Sequence, residues 1–124
     1  MNQHSCILCL GSNSDRHTRM EAARKALAIS FPDIRFGREM TTEAIGNTFL
    51  SPFSNQLALF KTTFSAEEVR SILKQIEKEN GRMPEDKAQG IVNLDIDLLI
   101  YDNTILKPDD IEKEFIRQEL ESFL

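Results

Sequence analysis

The chain has few of the residues from which soft-metal and redox sites are built: two cysteines and two histidines among 124 residues. Cys6 and Cys9 have the Cys-x-x-Cys spacing, but they lie in a short apolar strand pattern, Cys6-Ile-Leu-Cys9-Leu10. Residues three apart on a strand face opposite sides, so the two sulfurs do not meet. A redox pair of this spacing normally opens a helix. With no second cysteine pair and only His4 and His17, the composition argues against zinc. No apolar run approaches the length of a membrane span, so no membrane partner is expected. The segment Met-Asn-Gln-His-Ser lacks the basic start and apolar core of a signal peptide, and a cytoplasmic protein is the expectation. A net charge of −5 argues against a nucleic-acid partner, which would call for a basic surface. No Gly-x-x-x-x-Gly-Lys-Ser/Thr run occurs, so any polyphosphate must be held without a P-loop. Internal repeats and low-complexity linkers are also absent, and residues 1–124 read as one domain with a single two-layer core.

What the chain does have is an acidic strand. In Asn93-Leu-Asp-Ile-Asp-Leu-Leu-Ile-Tyr101 the alternation puts Leu94, Ile96, Leu98 and Ile100 on one face. Asp95 and Asp97 then share the other face, with Cα atoms roughly 6.5–7 Å apart, and Leu99 and Tyr101 continue that face. Carboxylates held this close repel unless something positive sits between them. A hard divalent cation, bound through one or two carboxylates and a nucleotide's phosphates, is the usual occupant. The plain alternative is a solvated strand face.

The remaining pattern supplies the frame. A strand over about Ser5 to Leu10 runs into Gly11-Ser12-Asn13-Ser14-Asp15, where Ser14 or Asp15 can cap a helix reaching about Ser30. Met20, Ala23 and Leu27 mark its apolar stripe, and Phe31-Pro32 ends it. A second strand spans about Asp33 to Thr42, interrupted at Gly37 and Arg38, with Ile34, Phe36 and Met40 on one parity. The long loop Glu43 to Pro52 follows, then a third strand, Asn55 to Phe64. Ser65-Ala66-Glu67-Glu68 is a capping box opening a helix with the stripe Val69, Ile72, Leu73, Ile76 and the stop Asn80-Gly81. Past the acidic strand and Pro108 comes another helix start, with Ile111, Phe115 and Phe123 facing inward. The order β-α-β-β-α-β predicts an α+β, ferredoxin-like sandwich: an antiparallel sheet with two helices on one face, plus a C-terminal helix. The other face is expected to be open, with room for a site. The C-terminal helix could serve a homodimer.

Leu10-Gly11-Ser12-Asn13, Phe53-Ser54-Asn55, Ile76-Glu77 before Gly81-Arg82, and Leu94-Asp95-Ile96-Asp97 fall in order along residues 5 to 105. This ordered set resembles the 6-hydroxymethyl-7,8-dihydropterin pyrophosphokinase family of folate biosynthesis, of which the chain looks like a shortened and divergent member. The resemblance implies magnesium-dependent transfer of diphosphate from ATP to the hydroxymethyl group of a reduced pterin. It implies two magnesium ions on Asp95 and Asp97, and Arg82 as a catalytic residue contacting phosphate. Glu77 would lie near the nucleotide; its alternative is a surface glutamate. Thr42, Ile45, Gly46, Phe53 and Asn55 would frame the pterin, with Phe53 stacking on the ring and the Asn55 amide reading its edge. Gly11 and Asn13 would shape their turn without touching substrate. The chain departs from the family at Pro84, Gln89 and Val92, where members carry Arg, Trp and Arg, and it lacks the later Pro-His-Pro segment. Two alternatives therefore stand beside the enzyme: a relative that binds nucleotide or pterin without turnover, and a ferredoxin-like interaction module.

Overall fold

β1 (His4–Ser12) lies at the centre of the sheet because its apolar residues are buried from both sides. The structure, a computed structural model, describes residues 2–42, 52–81 and 90–123. After β1 come α1 (Arg16–Ser30), β2 (Arg35–Phe36), β3 (Met40–Thr42), β4 (Phe53–Thr62) and α2 (Ala66–Glu79). β5 (Asp95–Tyr101), β6 (Thr104–Ile105), α3 (Pro108–Ile111) and α4 (Glu114–Phe123) complete the order. The strands run β2-β4-β1-β5-β6, with β3 also paired to β4, and these pairings among the described residues are antiparallel. Each long crossover skips one strand, α1 over β4 and α2 over β1. That is the split βαβ arrangement of a ferredoxin-like α+β fold.

The main core lies between the sheet and α1 and α2. Cys6, Leu8 and Leu10 of β1, Ala58 and Phe60 of β4, and Leu94, Ile96 and Leu98 meet Met20, Ala23 and Leu27 of α1 there. Val69, Leu73 and Ile76 enter from α2. The α2 ends form as the residues dictate. The Ser65 hydroxyl accepts from Glu68 N–H, the Glu68 carboxylate accepts from Ser65 N–H, and Gly81 turns out at φ 78°. At α1 the expected cap is absent. Asp15 takes a left-handed conformation and its side chain makes no capping bond.

Three expectations need correction. The second strand is two short pieces, β2 and β3, with Gly37 between them bonded to Leu57 O. The acidic strand does not keep one parity to its end. Against β1 its register slips between Ile7 and Leu8, so Leu8 faces Leu98 while Ile7 faces Ile100. The extra residue of such a bulge switches the faces. Ile100 therefore joins Leu99 on the second face, and Tyr101 crosses to the main core, where its hydroxyl donates to Phe64 O at 2.8 Å. Finally, the second face of the sheet is not open. The C-terminal segment is two helices, and Ile111, Phe115, Ile116 and Leu120 pack on Leu57, Leu99, Cys9 and Ile100. Arg38 Nε donates to the buried Glu119 carboxylate at 2.9 Å, tying α4 to the β2–β3 connection. The side chain of Phe123, the third residue expected to face inward, lies outside what is described. Cys6 and Cys9 are free thiols on opposite faces, as strand geometry requires.

Candidate active site

β5 carries both aspartates at the level where β1 reaches Cys9 and Gly11. Asp97 lies opposite Cys9 and Asp95 opposite Gly11. The two carboxyls converge closely enough to hydrogen-bond to each other. Burial, the charge of Asp95 and that hydrogen bond push Asp97 up from 3.8 to about 7, and Lys107 works in the opposite direction. The same surroundings, burial first and then the charges of Asp97 and Asp95, push the Cys9 thiol up to about 12. Cys9 is thus a neutral neighbour of the pair and not a nucleophile.

The pair separates two spaces. A groove of about 350 Å³ runs between α2 and the end of β6, over the outer edge of β5. Its floor is Leu73, Ile96, Leu98 and Leu106; Arg70, Lys74 and Lys107 bring positive charge, and Glu77 lies on its wall. That volume falls within the ~300–1,000 Å³ typical of small-molecule pockets. On the other side, a cleft of about 60 Å³ lies between the sheet and the C-terminal helices, edged by Phe53, Asn55, Lys113 and Phe115. Asp95 and Asp97 line both spaces.

Glu77 is buried, which overturns its surface alternative. Its carboxylate accepts the Ile96 N–H at 2.7 Å. Ile96 sits between the two aspartates, and its amide faces away from β1. Glu77 therefore satisfies an edge donor of β5 and fixes the backbone that carries the pair. Asn55 donates from Nδ2 to Thr42 Oγ1 at 2.8 Å, which joins two of the residues expected to frame the pterin. Phe53 and Asn55 face the small cleft together. Arg82, Ile45 and Gly46 lie outside the described residues.

Gly11 and Asn13 do more than shape a turn. Gly11 is within β1, and a Cβ there would fall 2.9 Å from Asn55 Oδ1 and 3.3 Å from Ser54 O. The missing side chain is the space in which the Asn55 amide lies. Gly11→Ala should displace that amide and, on the expectation that Asn55 reads the edge of a pterin acceptor, weaken acceptor binding about tenfold, the worth of one hydrogen bond. Titration calorimetry with the acceptor checks this; unchanged affinity would mean the amide is not used. Asn13 is buried and clamps the segment entering β5: Oδ1 accepts from Val92 N–H at 2.6 Å and Nδ2 donates to Gly90 O at 2.8 Å. Val92 is buried as well, so position 92 brings no charge to the pair.

Sequence reasoning did not single out Lys107, Asp110 and Lys113, which the fold brings to the lining of these two spaces; Ile111 and Phe115 mark the same segment as core. Among the described residues no cluster of three or more Asp, Glu, His or Cys is placed to hold a metal. Two converging carboxylates, one of them forced towards its neutral form, still fit a hard divalent ion that completes its shell with water and phosphate oxygens.

A family model described as 7,8-dihydro-6-hydroxymethylpterin-pyrophosphokinase matches residues 7–123. The chain belongs to this family. The pyrophosphokinase match takes in α3 and α4, so the helices over the second face are part of the family domain. A folate synthesis bifunctional protein of Chlamydia caviae is 29% identical over 115 residues, covering 86% of this chain. The chain spans 26% of that relative's length. A de novo designed protein with a ferredoxin fold is 14% identical, covers 86% of each chain and has a TM-score of 0.31. The strand order of this pyrophosphokinase family member, not that loose likeness, establishes its fold. No helix among the described residues is long and apolar enough to cross a membrane.

Proposed function

We propose that the protein transfers the terminal diphosphate of ATP to the hydroxymethyl group of 6-hydroxymethyl-7,8-dihydropterin. One observation carries this: the carboxyl pair lies on the boundary between a roomy, cation-bearing groove and a cleft edged by an aromatic ring and an amide. A group passing from a donor in the groove to an acceptor in the cleft would cross Asp95 and Asp97. The apolar floor of the groove suits a nucleoside, and its cations suit the phosphate tail. In the transfer, the acceptor's hydroxyl oxygen forms a bond to the β-phosphorus. The bond from that phosphorus to the α–β bridging oxygen breaks, AMP leaves with the bridging oxygen, and the hydroxyl proton passes to solvent. Asp95 and Asp97 would hold two magnesium ions, which supply neutralisation of the triphosphate and polarisation of the β-phosphorus. Glu77 keeps the pair aimed through Ile96. Phe53 would stack on the pterin and Asn55, steadied by Thr42, would read its edge.

A second function has an observation of its own. The 60 Å³ cleft is well below the volume of a small-molecule pocket, and Val92 is buried and uncharged. A pterin ring enters only if Phe115 and its neighbours on α4 give way. Should they not, the protein is a nucleotide binder without turnover. Calorimetry beside an AMP-release assay separates the two. Binding of both ligands with AMP formed only when magnesium and the pterin are present supports the transferase. Nucleotide binding with no AMP supports the binder.

A further inference from the structure

We propose that Lys107 and Lys113 form this chain's own phosphate clamp, Lys107 holding the nucleotide's triphosphate from the groove and Lys113 holding the transferred diphosphate from the acceptor side. The clamp rests on the pyrophosphokinase function proposed above.

The placement follows from the segment after β6. Lys107 precedes the single turn of α3, and Lys113 sits between α3 and α4. Asp110 and Lys113 meet in an ion pair at the edge of the cleft. Lys107 lines the groove together with Asp95 and Asp97. Lys113 and Asp110 line the cleft, again together with Asp95 and Asp97. The two lysines thus approach the same pair from its two sides. Their charges are felt there: Lys107 opposes the rise of Asp97, and Lys113 opposes the rise of Cys9, the residue opposite Asp97.

The other cations of the described residues are less well placed for this task. Arg70 and Lys74 line the groove from α2 but do not enter the cleft. Position 92 is apolar and buried. Lys113 is held ready by an ion pair with Asp110, 3.0 Å between Nζ and Oδ1, with its side chain still half exposed. An exposed pair of this kind is weak, so a phosphate oxygen of higher charge can take the ammonium over. An ammonium is a point charge without the bidentate fork of a guanidinium, so the clamp holds phosphate less tightly than an arginine pair would.

The test uses Lys107→Ala and Lys113→Ala, the arginine variants Lys107→Arg and Lys113→Arg, and Lys25→Ala on the exposed face of α1 as control. Binding of a non-hydrolysable ATP analogue with magnesium is measured by calorimetry at low and high salt. AMP release with the pterin gives kcat and KM. Lys107→Ala should weaken analogue binding about tenfold at low salt and flatten its salt dependence. Lys113→Ala should weaken analogue binding less than Lys107→Ala does and lower kcat about 10- to 100-fold. The arginine variants should restore both properties, and Lys25→Ala should change neither. The clamp is overturned if the unaltered protein binds and releases AMP while both alanine variants stay within about twofold of it. If the unaltered protein neither binds the analogue nor releases AMP, the pyrophosphokinase function falls and the clamp with it.

Discussion

Asp97→Ala is expected to lower AMP release by roughly 10³-fold or more while leaving the protein folded. The loss should be in kcat, because in the proposed function the carboxylate acts where charge shifts during transfer. Asp97 is half-buried on a strand whose core contacts come from Ile96 and Leu98, so alanine removes no core side chain. At pH 8, where Asp97 is ionised, the substitution also relieves the burial cost and the repulsion by Asp95 that push Asp97 up to about 7. Melting of the metal-free variant at that pH should therefore be equal to or higher than that of the unaltered protein. Magnesium, which should raise the melting temperature of the unaltered protein, should do little for the variant. A variant as active as its parent would remove the carboxyl pair from the chemistry. A variant that unfolds would show Asp97 to be a structural residue.

The second large effect is on stability against pH. Asp97 is raised from 3.8 to about 7, chiefly by burial and then by Asp95. Between those values the folded protein keeps a proton that the unfolded chain has released. This contribution is fully present below pH 3.8 and is lost as pH rises through about 7. The metal-free protein should melt roughly 5 °C lower at pH 8 than at pH 5. Glu68, lowered by its bonds to Ser65, and Asp102, lowered by His4, contribute stability that is lost only at more acidic pH. The cysteines rise to about 12 and stay protonated throughout. Magnesium should reverse the trend, since ionised carboxylates bind it best at pH 8. Asp97→Asn should flatten the curve. A metal-free melting temperature that is flat or rises from pH 5 to pH 8 would contradict the close approach of the two carboxyls.

The frame was legible because its signals are local. The Ser65–Glu68 box, the α2 stripe and the Asn80-Gly81 stop each depend on residues within a few positions, and each formed as expected. The aspartates shared a face because the strand period holds until the bulge. What escaped the sequence depends on partners far along the chain. The slip that sends Ile100 and Tyr101 to opposite faces is set by the pairing with Ile7 and Leu8. Glu77 looks like any helical glutamate until β5 brings the Ile96 amide against it. Gly11 reads as a turn glycine, yet its role is the room left for Asn55, 44 positions later. The acidic, polar character of residues 109–124 hid how firmly Ile116 and Leu120 would cover the second face.

The most direct measurement is the fate of the β-phosphorus. ATP labelled at that position is incubated with the protein, magnesium and 6-hydroxymethyl-7,8-dihydropterin, and the products are separated. The predicted result is label in the pterin fraction with unlabelled AMP in equal amount, and neither product when Asp97 is alanine. Label found in ADP, or left in ATP while the pterin stays unmodified, would contradict diphosphate transfer across the aspartate pair.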